Sequence, residues 1–331
     1  MAMKKTTVIY IAGILACGAA GVLSLTLGAA AYTLPELLEA VAAGTASTAG
    51  RIFYFSRLPR TLGCLLAGAA LSVSGCVVQK VLANPLASPG IIGINAGAGL
   101  GVTVCCALGA VSGWAVAGAS FLGALGAAAL VVFCARQTGA SRTTVILSGV
   151  AVNALLNGLR DAVTALVPEV GAMSADFRVG GFSAVVHARL ISAGVLILAA
   201  LALVFTMHNE LDVMTLGEET ARGLGMNVKR VRNLLLTLSA LLAGAAVSFA
   251  GLLGFVGLIV PHGVRRIAGS ESRSLIVLSA LFGAAFVTLA DLAARLAFAP
   301  YELPVGIFLS VLGGPFFLWL LYRGRGGKSG D

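Results

Sequence analysis

Few residues of this chain have the type and spacing that catalysis or metal binding requires. The three histidines, His187, His208 and His262, lie far apart and have no zinc-type or nucleophile-activating neighbours. Asp291 is an acidic residue well inside an apolar run, as a coupling carboxylate of an ion-driven transporter would be. Arg295 follows it by four residues, the spacing of a helical ion pair, and a structural or interfacial pair is the simpler interpretation. We therefore predict no catalytic residue and no metal site in this chain.

Two further patterns are too weak to indicate a cofactor site. The segment GGKS, Gly326 to Ser329, resembles a phosphate-binding loop, but Tyr322 stands where the first glycine is required and no helix follows. The segment GAGLG, Gly97 to Gly101, fits helix packing better than dinucleotide binding. The six cysteines lie in or beside apolar runs without metal-ligand spacing, so we interpret them as small buried apolar residues: Cys17, Cys64, Cys76, Cys105, Cys106 and Cys134.

The elements that carry these residues are hydrophobic almost from end to end. Of the 331 residues, 59% are hydrophobic and only 11% are charged, whereas a soluble domain carries roughly 25% charged residues. The sequence therefore predicts an all-α, multi-pass membrane protein with a single transmembrane domain, residues 1–331. The first apolar run is longer than the core of a cleavable signal peptide, about 7 to 15 residues, so we expect an uncleaved first span.

About ten apolar runs are predicted to form membrane helices, which need about 20 residues to span a bilayer. They lie near Thr6 to Ala29, Thr61 to Leu82, Gly90 to Gly109, Trp114 to Ala135, Thr143 to Leu166, Leu190 to His208, Asn233 to Leu253, Phe255 to Ile267, Leu275 to Phe298 and Val305 to Tyr322. Some of them are short or broken, the eighth most clearly. Gly93, Gly97 and Gly101 recur every four residues, a spacing that favours close contact between helices in lipid.

The basic residues are distributed unequally between the two ends of these helices. With the N-terminus in the cytoplasm, the cytoplasmic ends carry Lys4, Lys5, Lys80, Arg136, Arg142, Arg222, Lys229, Arg230, Arg232, Arg265, Arg266, Arg273, Arg323, Arg325 and Lys328. The opposite ends receive Arg51, Arg57, Arg60, Arg160, Arg178, Arg189 and Arg295. This bias follows the positive-inside rule, so both termini are predicted to be cytoplasmic. Basic residues at the inner membrane face and its lipid explain the net charge of +9 without a nucleic-acid partner.

The longest polar segment between helices, Asn209 to Arg232, is predicted to lie in the cytoplasm. A short helix begins near Leu216 with two glutamates in its first turn, and Gly223 and Gly225 end it. The segment is either a docking site for a partner or a solvated loop whose basic residues only set the topology. The residue pattern leaves both interpretations open.

An internal repeat relates two of the predicted helices. The segment LLAGAALSVSG, Leu65 to Gly75, nearly recurs 176 residues later as LLAGAAVSFAG, Leu241 to Gly251, and Pro85 and Pro261 are separated by the same offset. The two copies lie on the second and seventh helices and therefore run in opposite directions. Such a weak inverted repeat is typical of transport proteins. Chance similarity between Ala/Gly-rich helices is the alternative.

The stretch GFVGLIVPHGVRRIAG, Gly254 to Gly269, is too short for an ordinary membrane crossing. If the preceding helix ends outside near Leu253 and Arg265 and Arg266 lie inside, an ideal helix rising about 1.5 Å per residue cannot connect them. Burying the arginines at mid-bilayer would cost about 2.5 to 3.5 kcal/mol each. We predict a partly extended segment, broken at its glycines and at Pro261, in the protein interior near a translocation path.

These motifs resemble the permease subunit of the bacterial ABC importers for ferric siderophores, haem and vitamin B12, the type II importers. The resemblance covers nearly the whole chain and rests on RLPRTLGCLLAGAALSVSGCVVQKVLANPLASPGIIGINAGAGLG (Arg57 to Gly101), LGEETARGLGMNV (Leu216 to Val228), GFVGLIVPH (Gly254 to His262) and ADLAARLAFAPYELPVGIFLSVLGGPFFLWLL (Ala290 to Leu321). It implies a homodimer in the bacterial cytoplasmic membrane, two ATP-binding cassette subunits that use ATP and Mg²⁺, and an external substrate-binding protein or lipoprotein. This chain itself would bind no cofactor and hydrolyse no ATP.

The resemblance also implies roles for individual residues. Coupling to the ATPase falls to the segment 209–232, and within it to Leu216, Gly217, Glu218, Glu219, Arg222, Gly223 and Gly225. Docking of the binding protein falls to Arg57, Arg60 and Arg295, which we expect to be exposed at the outer face, although topology and snorkelling alone would explain the first two. The pathway or broken-helix candidates are Asn84, Pro85, Pro261 and His262, of which we interpret His262 as a packed or interfacial group.

The chain departs from the family pattern at several positions. Leu252 replaces a proline, Gly263 replaces a larger aliphatic residue, Lys80 replaces a small residue, and Phe177 to Ser183 only loosely matches a Trp- and Gly-Ser-containing segment.

The spans carry few fixed charges, which suits passage of a bulky chelate; we prefer a ferric siderophore and leave haem and vitamin B12 open. The alternative functions are an ion-coupled secondary transporter, favoured by the inverted repeat, and a non-transporting membrane scaffold.

Overall fold

The computed structural model describes residues 2–28, 32–137, 141–299 and 301–325, and every regular element within them is helical. In chain order the α-helices are α1 (Ala2–Thr26), α2 (Leu34–Ala43), α3 (Thr48–Ile52), α4 (Leu58–Val81), α5 (Ile94–Ala107), α6 (Gly113–Gln137), α7 (Arg142–Leu166), α8 (Glu169–Met173), α9 (Ala175–Val179), α10 (His187–Thr206), α11 (His208–Thr215), α12 (Glu218–Gly223), α13 (Val228–Ala250), α14 (Val256–Ala268), α15 (Ser272–Ala297) and α16 (Val305–Arg325). The predicted all-α fold is confirmed. The predicted first-helix end at Ala29 and the tail Gly326 to Ser329 lie outside the described residues.

Each of the ten predicted helices has a counterpart, but several begin elsewhere; the seventh, α13, begins at Val228 rather than Asn233. The second does not begin at Thr61, because α3, a π-helical turn and α4 form one helical stretch of 34 residues from Thr48 to Val81. The third begins at Ile94 rather than Gly90, because residues 89–92 form a 3-10 turn and Gly93 adopts a φ of 86°. The chain therefore enters and leaves α4 through irregular helical turns that hydrophobicity alone did not predict.

Helix lengths divide the bundle into complete and incomplete membrane crossings. Within the residues that the structure describes, six helices are long and apolar enough to span a bilayer: α1 from Thr6, the Thr48–Val81 helix, α6, α10, α13 and α15. Helices α5 and α16 are apolar but shorter, and α7, although 25 residues long, is made less apolar by Asn153, Asn157 and Arg160. Helix α14 has 13 residues and spans about 20 Å of a hydrocarbon core that is roughly 30 Å thick.

Helix α4 lies at the centre of the bundle. Most of its residues are buried, and it packs against α10, α13, α14 and α15. Its neighbour α13 runs antiparallel to it, because Gly63 near the start of α4 faces Phe249 near the end of α13, and Ser74 bonds Ser239 through their hydroxyls at 2.7 Å. The opposite directions predicted for the two copies of the repeat are confirmed.

Helices α5 and α6 cross at close range through small residues. A Cβ placed on Gly97 would lie 2.2 Å from the Gly123 carbonyl oxygen, and one placed on Gly101 would lie 2.2 Å from the Ala119 carbonyl oxygen. Gly93 faces Ala127 one turn earlier. The predicted use of this glycine spacing for helix contact is therefore confirmed, since a side chain at either crossing glycine would push the two backbones apart.

The two ends of the bundle differ in the residues they carry, and we name them after the short helices there. The α12 face contains α11, α12, the end of α4 and the starts of α7, α13 and α15, which are joined by contacts of Lys80 with Asp212 and of Arg142 with Met214. The opposite α2 face contains the start of α4 and the ends of α1, α13 and α15. Among the described residues, Lys80, Arg142 and Arg232 thus lie at the α12 face, and Arg57, Arg60 and Arg295 lie at the α2 face.

Candidate coupling and translocation sites

The predicted coupling segment folds as a short helix that stands out from the α12 face. Gly217, with a φ of 105°, precedes the first residue of α12, and Gly225, with a φ of 81°, follows its end. Two large apolar side chains that flank the helix are exposed: Leu216 at 62% and Leu224 at 65%. Arg222 is also exposed. The predicted start near Leu216 and the stop at the two glycines agree with this helix.

Glu218 connects α12 to the membrane helix α13. Glu218 accepts a hydrogen bond from Arg232, a residue of α13 with only 2% exposure, and lies 3.4 Å from Arg222. Glu219, the other glutamate of the first turn, is exposed, whereas Ala221 is buried beneath the helix. The two glutamates therefore differ: Glu218 positions α12 against α13, and Glu219 faces outward.

A second connection at the α12 face was not predicted from the sequence. The Lys80 cluster joins the end of α4 to α11 and α15: Lys80 Nζ donates to Asp212 Oδ1 at 2.8 Å, to Ser272 Oγ at 2.6 Å and to the Ser270 carbonyl at 2.5 Å. Asp212 in turn accepts from the backbone N–H of Ser272 at 3.1 Å. Burial raises the pKa of Asp212, but the hydrogen bonds from Lys80 and Ser272 outweigh it, so that the pKa lies below its ordinary value. The unusual lysine at position 80 is thus a structural link.

The arginines predicted to dock the binding protein are buried. Arg60 donates to both carboxylate oxygens of Asp291, at 2.9 and 3.0 Å, and Arg295 lies 3.1 Å from the same carboxylate. Arg60 also bonds Glu302 at 2.6 Å. Their exposures are 9% for Arg60, 0% for Asp291 and 8% for Arg295. The predicted Asp291–Arg295 pair is confirmed, but the expected exposure is wrong, because the carboxylate holds two guanidinium groups inside the bundle.

Arg57, the third arginine predicted to dock the binding protein, caps the C-terminal end of α1. Arg57 has 6% exposure, donates to the carbonyls of Leu25 at 2.6 Å and Thr26 at 2.9 Å, and lies 4.5 Å from the Tyr32 ring centroid. These carbonyls belong to the last turn of α1, where backbone acceptors have no helical partners. Arg57 is thereby a helix cap as well as a docking candidate, and the docking role stays a prediction.

The short return segment combines an extended part with a short helix, as predicted. After α13 ends at Ala250, Leu252 donates its N–H to the Phe177 carbonyl at 2.9 Å, and α14 begins only at Val256. Phe255, just before it, has a φ of 64°, a conformation rare for a side chain of this size. Its ring lies against Gly313 of α16, where a Cβ would come within 2.1 Å of the ring. The Phe177 segment, only loosely matched by the family pattern, supports this turn.

The predicted break at Pro261 is wrong, since α14 continues through it. A proline cannot donate to the carbonyl four residues earlier, which here belongs to Gly257. The side-chain amide of Gln79, on α4, donates to that carbonyl at 3.0 Å and accepts from Arg265. A side chain from a neighbouring helix therefore replaces the missing backbone hydrogen bond, and α14 remains regular.

The other pathway candidates lie in different surroundings. Asn84 lies in the turn after α4, where its side chain accepts the Leu86 N–H at 2.9 Å, and Pro85 is exposed in that turn. The two prolines of the repeat are therefore not structurally equivalent. His262 packs edge-on against Phe316 of α16 with ring centroids 6.1 Å apart, which confirms it as a packed group. A role of these residues in the pathway stays a prediction.

Within the described ranges, no group of three or more His, Cys, Asp and Glu side chains could hold a metal ion.

Comparison with known proteins agrees with this arrangement over nearly the whole chain. The model of the FecCD transport family matches residues 16–323. The chain is 36% identical over 303 residues to the Fe(3+)-citrate import system permease protein YfmD of Bacillus subtilis, covering 92% of this chain and 91% of that protein. It is 36% identical over 280 residues to the hemin transport system permease protein HmuU of Yersinia pestis, covering 83% and 84%. It is 39% identical over 301 residues to the cobalamin import system permease protein BtuC of Halobacterium salinarum, covering 87% and 79%.

The fold also matches a solved transporter. An inward-facing structure assigned to the metal-chelate type of ABC transporter has a TM-score of 0.85 and 27% identity, and the match covers 95% of this chain and 99% of that one. These matches support an importer permease and give no support to an ion-coupled secondary transporter. The chain therefore belongs to the FecCD transport family and is a permease subunit of an ABC importer.

Proposed function

We propose that two copies of this chain form a homodimeric permease, that two ATP-binding cassette subunits bind its α12 face, and that an external substrate-binding protein or lipoprotein delivers a metal chelate to its α2 face. The protruding helix α12, bonded through Glu218 to Arg232 of α13, is the observation that carries this proposal. ATP and Mg²⁺ act in the partner subunits. This chain contributes the pathway and no catalytic residue.

The ATPase contact rests on the chemistry of α12 and its flanks. Leu216 and Leu224 offer an apolar contact at either end of the helix, and Glu219 and Arg222 offer charges of both signs between them. Apolar residues exposed to water on a short polar helix favour burial against a partner. A push on α12 would pass through the bond between Glu218 and Arg232 into α13, and the segment 209–232 is in this sense the coupling loop.

The sidedness follows from the positive-inside rule. Because basic residues are concentrated on the α12 face, that face is cytoplasmic in this proposal, and both termini are cytoplasmic as well. The same assignment puts the α2 face, with Arg57, Arg60 and Arg295, on the side of the binding protein. The membrane is the bacterial cytoplasmic membrane.

Helix α7 supports a dimer with a polar pathway. Among its 25 residues only Val145, Gly149 and Val152 are buried within one chain, and its accessible residues include Asn157 and the exposed Asp161. Polar side chains at membrane depth require water or protein beside them rather than lipid. A second copy of the chain that faces α7 across a water-filled route would provide both.

We propose a ferric siderophore as the cargo. The relatives named above carry ferric citrate, hemin and cobalamin, which are all bulky metal chelates, and two of the three contain iron. The spans of this chain offer few fixed charges, which suits a large complex that passes by shape rather than by tight binding. Haem and vitamin B12 are the competing cargoes.

Uptake into liposomes tests the proposal. The chain, its cognate ATPase and its binding protein are reconstituted with ATP, and entry of ferric siderophore, haem and cobalamin is measured separately. We expect ATP-dependent entry of the ferric siderophore, and none when ATP or the binding protein is omitted. Preference for haem or cobalamin would correct the cargo. Flux driven by a proton or sodium gradient without the ATPase would overturn the importer assignment.

A further inference from the structure

A groove between α6 and α13 opens at the α12 face and continues toward the middle of the bundle. Its outer part, about 350 Å³, lies among Arg136 at the end of α6, Lys229, Arg230 and Asn233 at the start of α13 and Val145 of α7. Its inner part, about 330 Å³, follows the same two helices deeper into the bundle. The two parts share Val132, Arg136 and Leu236, so they form one continuous groove.

The outer part is strongly basic. Arg136, Lys229 and Arg230 are exposed, and across residues 2–28, 32–137, 141–299 and 301–325 none of them forms an ion pair with a carboxylate. Arg232, which also lines this part of the groove, bonds Glu218. The positive end of the α13 helix dipole adds to the same field. Three positive charges therefore line one opening without a counter-ion from the part of the chain that the structure describes.

Apart from Arg136 and Thr237, the inner part is lined by apolar side chains. It is lined by Leu125, Ala128, Ala129 and Phe133 of α6 and by Ala240 of α13. The small alanines leave room between the helices, which come together again one turn further on, where Gly244 meets Ala124. A charged head region over an apolar slot is the shape of a phospholipid rather than of a free anion, which would leave the slot unfilled.

We propose that this groove binds one anionic glycerophospholipid of the leaflet on the α12 side. Its phosphate would lie among Arg136, Lys229 and Arg230, which supply charge-assisted hydrogen bonds, and one acyl chain would run along Ala129 and Phe133. The site lies beside the Glu218–Arg232 bond, so a bound lipid would neutralise the basic start of α13 at the point where α12 is fastened. Lipid binding at this groove is independent of the identity of the cargo.

Lipid retention measured on the purified full chain tests the site. The chain is incorporated into phosphatidylcholine nanodiscs with increasing phosphatidylglycerol, and lipid retained after release is counted by native mass spectrometry. We expect one phosphatidylglycerol per chain, preferred over phosphatidylcholine by about tenfold or more, since each basic residue near the surface favours an anionic lipid. The triple variant Arg136→Gln, Lys229→Gln, Arg230→Gln should lose that preference. A charge-matched variant, Arg51→Gln, Arg178→Gln, Arg273→Gln, should keep it.

Two further measurements separate a lipid from a soluble anion. Ala129→Trp fills the inner groove without changing charge and should displace phosphatidylglycerol, whereas the same change at Ala172, exposed on α8, should not. Glycerol 3-phosphate and inorganic phosphate should compete poorly with the lipid. Retained preference in the triple variant, unchanged binding in Ala129→Trp, or equal competition by glycerol 3-phosphate would each overturn the proposal. If the triple variant fails to fold, photocrosslinking to phosphatidylglycerol from a photoreactive side chain at Thr237 gives the same decision.

Discussion

The amide of Gln79 donates to the Gly257 carbonyl at 3.0 Å, and this bond replaces the one that Pro261 cannot make. The same side chain accepts from Arg265 one turn later. Two helices of the repeat region, α4 and α14, are therefore joined through backbone and side chain together. The proline sets the position of this junction, because it frees the carbonyl that Gln79 uses.

The variant Gln79→Leu should destabilise the chain by about 1–3 kcal/mol, since it leaves a buried carbonyl and Arg265 without their partner. Thermal unfolding of the purified chain, compared with Gln137→Leu at the exposed end of α6, measures the loss. In a Pro261→Ala background the backbone N–H at position 261 can serve Gly257, and Gln79→Leu should there cost about 1 kcal/mol less. Equal costs in both backgrounds would refute the link between Gln79 and the proline.

The variant Asp291→Asn should be among the most damaging single changes in the chain. It leaves Arg60 and Arg295 buried without their shared carboxylate, and breaking a buried ion pair in this way costs about 3–5 kcal/mol. Glu302→Gln is the matched control, because Glu302 bonds Arg60 from a side chain that is 47% exposed, and it should cost about 1 kcal/mol or less. Folded protein yield and the unfolding midpoint report both changes; similar midpoints would show that burial of the cluster is not decisive.

The Lys80 cluster should make stability depend on acid. The pKa of folded Asp212 lies below its ordinary value of about 3.9, so its stabilisation is complete above about pH 4 and is lost as the pH falls through the lower, folded pKa. The variant Lys80→Met removes the lysine bond that lowers this pKa. We expect it to be less stable at neutral pH and to lose less stability on acidification than the parent chain.

Unfolding midpoints at pH 6, 4 and 3 test this expectation, as points chosen on the two sides of the ordinary carboxylate pKa of about 4. Arg273→Gln, at the start of α15 but outside the cluster, controls for loss of one positive charge at the α12 face. It should follow the parent profile. Parallel profiles for the parent and Lys80→Met would exclude the cluster as the source of acid sensitivity.

The variant Gly75→Ala should disrupt the crossing of α4 and α14. Its Cβ would lie 1.9 Å from the Gly257 carbonyl oxygen, so the helices must separate, and overpacking of this kind typically costs about 1–3 kcal/mol or more. Gly118→Ala on α6 is the control, because no atom lies within 4 Å of its added Cβ and alanine favours helix. Unfolding midpoints should fall for the first and stay level or rise for the second; a fall in both would mean that the crossing is not special.

The variants Arg222→Glu and Leu224→Ser should uncouple ATP hydrolysis from uptake without unfolding the chain. Both side chains are exposed on or beside α12, so their loss alters a surface rather than the interior. ATP consumed per chelate imported, measured in the reconstituted importer, should rise. Arg273→Glu, exposed at the same face outside α12, should leave the ratio unchanged. Normal coupling in both α12 variants would show that the ATPase contact lies elsewhere.

The helices were predictable because their cause is local. Apolar composition and run length determine where a chain can cross lipid, and all ten predicted crossings have counterparts. The boundaries were less predictable where backbone conformation decided them, as at Gly93, whose positive φ starts α5 four residues late. The continuation of α14 through Pro261 was not predictable from the segment itself, because the compensating donor, Gln79, comes from a helix 178 residues away in sequence.

The candidate sites were likewise predictable where their cause is local and not predictable where it is long-range. The limits of α12 followed from its flanking glycines, and the pair Asp291–Arg295 followed from its spacing of four residues. The third member of that cluster, Arg60, is 231 residues from Asp291, and no pattern in one sequence joins them. In the sequence, Lys80 is recognisable only as an unusual residue. Its bonding partners lie on α11 and α15, and only the packing of these helices beside α4 brings them close to it.

The ring of Phe255 occupies the space that Gly313 leaves open on α16. The ring fills the space beside Gly313, so α16 cannot shift against the start of α14 at this contact unless the ring moves. We therefore expect α14 and α16 to move together when the permease changes between outward and inward access. A larger residue at position 313 would displace the Phe255 ring and, with it, the extended residues that lead into α14.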